Sequence, residues 1–153
     1  MAIGVRPLQR GDLDQVAGMI RALAAHHGDD ARVTAATLER DALGDDPWVR
    51  LYVADTAADA GAGLAGYMAL KRLAWLHCGD RGMEIYHLFV QAGWRGQGVG
   101  RSLIRAAQDL ARAEGCVELK VGTHPANQMA MDYYRALGFE PQENVGARFR
   151  FVL

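Results

Sequence analysis

Residues 90–100 read VQAGWRGQGVG, and they run directly into RSLIRAAQDLARAEG at residues 101–115. The stretch has the order of an apolar strand, a glycine-rich turn and an amphipathic helix. A helix that starts in this way has backbone N–H groups without intrahelical partners at its N-terminus, where the helix dipole also favours an anion. The stretch therefore predicts a phosphate-binding loop at the start of a helix.

The spacing of the glycines narrows the kind of loop. Glycine stands at positions 93, 96, 98 and 100, and position 101 is arginine. A dinucleotide-binding loop that began at Gly96 would need glycine at position 101, and a Walker loop would need lysine directly before Ser102. Residue identity excludes both loops, and the pattern Arg95-x-x-Gly98-x-Gly100 remains.

A second pattern lies downstream of this loop. The residues Asn127, Ala130, Tyr134, Gly138 and Phe139 spell N-x-x-A-x-x-x-Y-x-x-x-G-F. Together the two patterns resemble the signature of the GNAT superfamily of N-acetyltransferases, which use acetyl-CoA. Within that superfamily, residues 5–27, residues 87–100 and the second pattern look most like the diamine acetyltransferases, represented by spermidine/spermine N-acetyltransferase.

The order of predicted elements matches that fold along nearly the whole chain, as a single domain over residues 1–153. Periodicity and turn residues predict strands at residues 3–7, 49–53, 64–73, 83–90 and 116–121, two last strands at 139 and 147–153, and helices at 12–27, 34–43, 100–115 and 127–137. The resemblance implies an α/β (α+β) fold with a mixed, mostly antiparallel sheet of six to seven strands, about four flanking helices, and a splay between the fourth and fifth strands.

Bulk composition excludes several other classes of protein. Half of the residues are hydrophobic and 23% are charged, as in an ordinary folded domain, and the formal net charge of −1 gives no general attraction to nucleic acid. No apolar run reaches the length of a membrane span, and MAIGVRPLQR lacks the core of a signal peptide. We expect a cytoplasmic protein without a metal site, since Cys78 and Cys116 lack metal-binding spacing.

The predicted cosubstrate site extends on both sides of the glycine-rich turn. Backbone N–H groups between Gly96 and Arg101 are expected to bind the pyrophosphate of acetyl-CoA. The resemblance adds the backbone of the fourth strand, which would pair with the pantetheine arm and polarise the thioester carbonyl near Phe89, and it adds a contact from Asn127, which can equally be a helix N-cap. The predicted cosubstrate-binding residues are Leu88, Phe89, Val90, Arg95, Gly96, Gln97, Gly98, Val99, Gly100, Arg101 and Asn127.

The resemblance assigns the general acid to Tyr134, which would protonate the departing thiolate. A phenol with an ordinary pKa near 10 carries its proton at neutral pH and can donate it. The alternative role is that of a packed aromatic residue on an amphipathic helix, as for Tyr133.

The general base is less clearly marked. Tyr86 and His87 stand where the diamine acetyltransferases carry glutamate and aspartate in the fourth strand. Alternation along a strand places Glu84 on the same face as Tyr86, so Glu84 is the predicted base, acting through water. His87 has a suitable pKa but faces the other side of the strand unless a bulge intervenes. A surface role is the alternative for Glu84.

The resemblance places acceptor recognition at the end of the first helix and in the loop after it, where His26 and His27 stand. Tyr86 of the fourth strand is the third predicted acceptor-binding residue. The acidic residues Asp29, Asp30, Asp45 and Asp46 either attract a cationic amine there or belong to a solvated loop. We expect a small-molecule primary amine as acceptor, of the polyamine, amino-acid or aminoglycoside kind. The alternatives are a protein N-terminus or lysine, and a catalytically weak CoA-binding sensor. Family habit and the apolar RFRFVL at residues 148–153 predict a homodimer.

Overall fold

The computed structural model describes residues 3–56, 63–142 and 146–153. The chain forms two compact units, Met1–Val121 and Gly122–Leu153. Within the described ranges, no helix has the length and apolar character required to cross a membrane. The connection predicted between the second and third strands, residues 56–63, lies outside the described residues except for its two ends.

The larger unit is built on a five-stranded sheet with the strands in sequence order. The first four strands are antiparallel to their neighbours, and the fifth is parallel to the fourth, so the mixed, mostly antiparallel α+β fold is confirmed. Its elements are β1 (Gly4–Pro7), α1 (Leu13–His26), α2 (Ala35–Ala42), β2 (Arg50–Asp55), β3 (Leu64–Trp75), β4 (Asp80–Val90), α3 (Val99–Ala113) and β5 (Glu118–Val121).

Helices cover both faces of this sheet. Side chains alternate between the two faces along β2 and β3, because successive residues of a strand point in opposite directions. One set packs with α1 and α2 in a buried cluster that includes Leu51, Val53, Tyr67 and Ala69. The alternate residues of β3 and β4 face α3, whose buried residues are Val99, Leu103, Ile104, Ala107 and Ala111.

The fourth strand is paired differently along its two halves. Residues Gly82–Ile85 pair with Glu118–Val121, and β5 ends there. Residues Tyr86–Val90 continue to pair with β3 on one side but have no strand of the described chain on the other. The predicted opening between the fourth and fifth strands is therefore present as an unpaired edge of β4.

A β-bulge lies where β4 enters this unpaired half. Ala69 of β3 is opposite His87, but the next residue, Leu70, is opposite Ile85, so Tyr86 is an extra residue without a partner in the ladder. A bulge of this kind bends a strand and changes the direction of its side chains.

The smaller unit contains α4 (Gln128–Ala136), the fourth α-helix. The two last strands predicted at residues 139 and 147–153 do not form: the described residues 139–142 and 146–153 contain no strand, so the described sheet has five strands rather than six or seven. Strand propensity alone does not form a ladder, which needs a neighbouring strand. The side chains of Phe149 and Phe151 are 96% and 87% exposed.

Candidate functional site

The glycine-rich turn ends in an unusual helix start. Gly96 and Gly98 have φ values of +75° and +85°, a region that residues with a side chain adopt at a cost. Gly98 is the N-cap of α3, and the N–H of Ser102 donates to its carbonyl at 3.0 Å. The three helical residues before Ser102 are Val99, Gly100 and Arg101. Their N–H groups have no carbonyl within the helix to donate to.

Two other α-helices, α2 and α4, satisfy one such group with the side chain of the N-cap residue. The Thr34 hydroxyl accepts from the Thr37 N–H at the start of α2, and the Asn127 amide oxygen accepts from the Ala130 N–H at the start of α4. Gly98 has no side chain with which to do this, and the first turn of α3 contains no acidic residue. The N-terminus of α3 therefore has backbone donors without side-chain partners and a partial positive charge, an arrangement that suits an anion.

Two side chains of the turn donate hydrogen bonds to nearby backbone carbonyls. Arg95 Nε donates to the Val90 carbonyl at 3.1 Å, and Gln97 Nε2 donates to the Gly93 carbonyl at 2.8 Å. These bonds tie the turn to the end of β4 and to the short 3₁₀ turn at Ala92–Trp94. Arg95 and Gln97 thus shape the loop, a role that the spacing of the glycines did not reveal.

The unpaired edge of β4 presents backbone groups beside this turn. The Gln91 N–H donates to the Ala65 carbonyl at 2.9 Å, and the alternation of an antiparallel ladder then makes Tyr67 and Phe89 a hydrogen-bonded pair. By the same alternation, the N–H and C=O groups of Leu88 and Val90 point away from β3. The donors at the open edge are consequently those of Leu88 and Val90, and the N–H of Phe89 itself is used within the sheet.

A pocket of about 570 Å³ lies on the face of the sheet that α1 and α2 cover. Most of its wall is apolar, and its polar groups come from α2, the segment before β2, and the bulge of β4. It is lined by Ile20, Val33, Leu38, Arg40, Asp41, Trp48, Val49, Leu51, Ala69, Tyr86 and His87.

The bulge brings Tyr86 and His87 to this pocket together. A regular strand would turn His87 to the opposite face, as expected from alternation, but the extra residue lets both side chains line the pocket, with ring centroids 4.8 Å apart. The hydroxyl of Tyr67, a fully buried residue, lies 3.1 Å from His87 Nδ1. His87 therefore lines the pocket, and the Tyr67 hydroxyl contacts the ring through Nδ1.

Burial sets the ionisation of these groups. Burial lowers the pKa of His87 below the usual histidine value, and the positive charge of His27 lowers it further. Burial raises the pKa of Tyr86, and the negative charge of Asp41 adds to that effect. At neutral pH His87 is thus largely an uncharged imidazole, and Tyr86 keeps its proton.

Glu84 shares a face with Tyr86, as its position in the strand predicts. Lys71 connects the two, because its Nζ lies 3.7 Å from a Glu84 carboxylate oxygen and 5.5 Å from the centre of the Tyr86 ring. Glu84 does not line the pocket. The structure therefore joins this carboxylate to a lysine of the neighbouring strand.

Other predicted acceptor residues do not line the pocket. His26 ends α1 and His27 is its C-cap, with ring centroids 5.8 Å apart. None of the four aspartates predicted around the acceptor lines the pocket either. Asp41 does, and Arg40 contacts its carboxylate through two hydrogen bonds of 2.7 and 2.8 Å.

Sequence reasoning missed Asp41, Trp48 and Tyr67. Asp41 follows the buried Leu38 by three residues, so both lie on one face of α2, and that spacing was an available signal. For Trp48 and Tyr67 no local pattern marks a site. Within the described residues, no group of three or more His, Cys, Asp or Glu side chains is placed to hold a metal ion.

The second pattern forms both ends of α4. Asn127 is the N-cap, and the C-terminal end is a Schellman motif: Gly138 has φ +91°, its N–H donates to the Arg135 carbonyl at 3.0 Å, and the Phe139 N–H donates to the Tyr134 carbonyl at 3.0 Å. The rings of Tyr134 and Phe139 make the apolar contact that accompanies this motif, 5.9 Å apart. Burial raises the pKa of Tyr134, so its hydroxyl is protonated at neutral pH.

Comparison with known families gives a match to the acetyltransferase (GNAT) family model over residues 20–139, which is more than three quarters of the chain. The chain belongs to the GNAT acetyltransferase family. It is accordingly an N-acetyltransferase, and this family generally uses acetyl-CoA. The GNAT signature and the open helix start agree on the same residues, 95–101.

Similar proteins include a thialysine N-epsilon-acetyltransferase of Bos taurus, 27% identical over 88% of this chain and 82% of that protein. The N-alpha-acetyltransferase RimI of Mycobacterium tuberculosis is 33% identical over 71% of this chain and 70% of that protein. Among solved structures, an aminoglycoside acetyltransferase from an uncultured soil metagenomic sample, in complex with sisomicin, has a TM-score of 0.75 at 21% identity, covering 99% of this chain and 96% of that one. The last comparison supports the fold.

The helix start of α3 yields a direct prediction. Gly98→Ala is expected to cost about 1–2 kcal/mol, because a side chain is disfavoured at positive φ. Gly98→Glu adds a carboxylate where an anion should bind, so it is expected to weaken acetyl-CoA binding more strongly than Gly98→Ala. Isothermal titration calorimetry with acetyl-CoA, together with thermal unfolding, measures both effects.

Gly93→Ala is the matched control for these variants. Gly93 lies in the same turn, its φ is not positive, and an added Cβ would meet no atom within 4 Å. Wild-type affinity in a folded Gly98→Glu protein would contradict the assignment of the loop.

Proposed function

We propose that this GNAT protein transfers the acetyl group of acetyl-CoA to a primary amine of a small molecule, as an acyltransferase of the diamine or thialysine type. One observation carries the proposal: the pocket and the open edge meet in consecutive residues of β4. Tyr86 and His87 line the pocket, and Leu88 and Val90 follow at the unpaired edge that leads to the α3 N-terminus. An acceptor in the pocket would thus lie beside the strand along which the acetyl-pantetheine arm would run.

The proposed reaction needs three proton transfers, and it exchanges the C–S bond for a C–N bond. A base takes a proton from the acceptor ammonium, and the neutral amine attacks the thioester carbonyl carbon, forming a C–N bond. The carbonyl oxygen becomes an oxyanion, which an open-edge N–H of β4 stabilises. The C–S bond then breaks, Tyr134 gives its proton to the thiolate, and it regains a proton from the nitrogen of the new amide. The products are the acetylated amine and CoA.

The size and lining of the pocket support a small acceptor. A volume of about 570 Å³ lies within the range for small-molecule sites, and its wall is largely apolar. Its two full charges, on Arg40 and Asp41, already pair with each other. This favours an acceptor whose reacting amine stands on an apolar stem. The name of the bovine relative, which specifies thialysine, points in the same direction.

The similarity to RimI keeps a protein N-terminus as the second candidate acceptor. The discriminating experiment follows thiol release from acetyl-CoA with thialysine, spermidine, sisomicin and a short peptide with a free N-terminus. We expect turnover with at least one of the three small amines and none with the peptide. Turnover with the peptide alone would move the assignment to protein acetylation, and acetyl-CoA binding without any turnover would favour a sensor.

The role of Tyr134 as the acid is tested by Tyr134→Phe. This variant keeps the ring that packs on Phe139 and removes the proton. We expect kcat to fall by ~10²- to 10⁴-fold, the usual contribution of general acid catalysis, with acetyl-CoA affinity and thermal stability near wild type.

Tyr133→Phe is the control for this variant, because its side chain leaves the helix about 100° away. A purely structural Tyr134 would leave kcat almost unchanged in Tyr134→Phe. Water or the outgoing ammonium would then have to protonate the thiolate.

We also propose that the protein works as a homodimer. The support is the exposed apolar side chains of Phe149, Phe151, Val152 and Leu153, which suit a surface covered by a partner. Light scattering after size exclusion is expected to give twice the chain mass, and the double substitution Phe149→Ser and Phe151→Ser is expected to lower it. A monomer at high protein concentration would rule this out.

Three further proposals concern the domain organisation, the partners and the localisation of the protein. The family match over residues 20–139 begins in the larger compact unit and continues into the smaller one, which supports one catalytic domain over residues 1–153. The formal net charge of −1 supports a role without nucleic acid or membrane partners. Cys78 and Cys116 are unpaired, which suits the cytoplasm.

A further inference from the structure

The pocket contains one side chain that can take a proton without first giving up an ion pair. Glu84 faces Lys71 and lies outside the pocket lining, and the Asp41 carboxylate is held by Arg40. His87 lines the pocket, and its one hydrogen bond among the described residues is that between Nδ1 and the Tyr67 hydroxyl, at 3.1 Å. The second ring nitrogen, Nε2, is therefore free to accept a proton.

The position of His87 depends on two features that reinforce each other. The β4 bulge turns the ring onto the pocket face, and the Tyr67 hydroxyl reaches it from the neighbouring strand. Tyr67 is fully buried in the cluster beneath α1, so its ring cannot move aside. A hydroxyl can either donate to an unprotonated Nδ1 or accept from a protonated one.

We propose that His87 is the general base that removes the proton from the acceptor ammonium, and that Tyr67 is the residue that positions its imidazole. This inference rests on the proposed function. In the reactive form, Nδ1–H donates to the Tyr67 oxygen and the lone pair of Nε2 faces the acceptor. The N–H bond of the ammonium breaks, an N–H bond forms at Nε2, and the resulting imidazolium later releases its proton to water.

The surrounding charges keep the base unprotonated. His27 at the end of α1 opposes a positive charge on His87. Arg40 and Asp41 of α2 line the same pocket and largely cancel each other, Tyr86 beside the ring keeps its proton, and Tyr67 of β3 is held neutral by burial, which raises its pKa. The acidic limb of the pH profile should therefore lie below the pKa of an ordinary histidine.

Two isosteric variants distinguish the possible bases. The assay is kcat/KM against pH, using whichever of thialysine, spermidine and sisomicin the wild-type protein acetylates fastest. His87→Gln is expected to lose the acidic limb and to lower kcat by ~10²- to 10⁴-fold at neutral pH. Glu84→Gln is expected to keep the limb. Loss of the limb in Glu84→Gln and its survival in His87→Gln would overturn the assignment. His77→Gln, at an exposed histidine in the β3–β4 turn, is the control.

Tyr67→Phe tests the positioning role, because it keeps the buried ring and removes the hydroxyl. Without that oxygen the imidazolium loses an acceptor, so the acidic limb is expected to move to lower pH and kcat to fall roughly two- to tenfold, the value of one hydrogen bond. A move to higher pH would show that the hydroxyl donates to Nδ1. That arrangement leaves the proton on Nε2 in the neutral ring and overturns the proposal.

NMR titration of the His87 ring provides a measurement that needs neither substrate nor turnover. The ring is expected to titrate below the ordinary histidine pKa in the wild-type protein, and lower still in Tyr67→Phe. Titration of His87 at or above the ordinary histidine pKa would overturn the inference even if acetyl transfer were observed. Failure to bind acetyl-CoA would instead reject the proposed function, while the titration would still decide whether Tyr67 controls this imidazole.

Discussion

The arrangement of the site depends on one extra residue in β4. Every other contact of this strand follows the ordinary rule that neighbours point to opposite faces. At Tyr86 the rule is broken, because the ladder with β3 skips that residue and resumes at His87. As a result one face of the sheet receives two consecutive polar aromatic side chains, both against the apolar cluster under α1 and α2. Without the bulge, His87 would lie on the same face as Ile85 and would point towards α3.

The two halves of the same strand also differ in their pairing. Its first half is paired on both sides and packs against α3 through Met83 and Ile85, which are almost completely buried. Its second half is paired only with β3, and it ends in the turn that Arg95 ties back to Val90. A rigid scaffold and an open edge are therefore joined in a single element, so the pocket, the edge and the helix start are fixed relative to one another.

The predictable parts of this structure are the local ones. Glycine spacing and periodicity identified the open start of α3, since the conformation of Gly98 and the lack of a capping side chain are properties of neighbouring residues. The caps of α4 were predictable for the same reason.

The bulge of β4 was not predictable, because residues 85–88 contain no turn-forming residue and the register is decided by pairing with β3. Asp41 and Trp48 come from segments that reach the pocket only through tertiary packing. The C-terminal RFRFVL has strand propensity, but residues 146–153 form no strand, because propensity without a paired neighbour does not make a ladder.

The open edge of β4 exposes unpaired backbone groups, and its short length limits the risk that another chain pairs with them. Unpaired strand edges invite pairing with other chains, and folded proteins normally cover or shorten them. Here β5 covers the edge as far as Ile85, the bulge interrupts the regular spacing at Tyr86, and Arg95 occupies the Val90 carbonyl. Beyond the bulge, the outward groups that remain are the N–H and C=O of Leu88 and the N–H of Val90. Since a typical strand spans five or six residues, this gap is too short to seed sheet-to-sheet aggregation, yet it is long enough to hold the arm of a ligand.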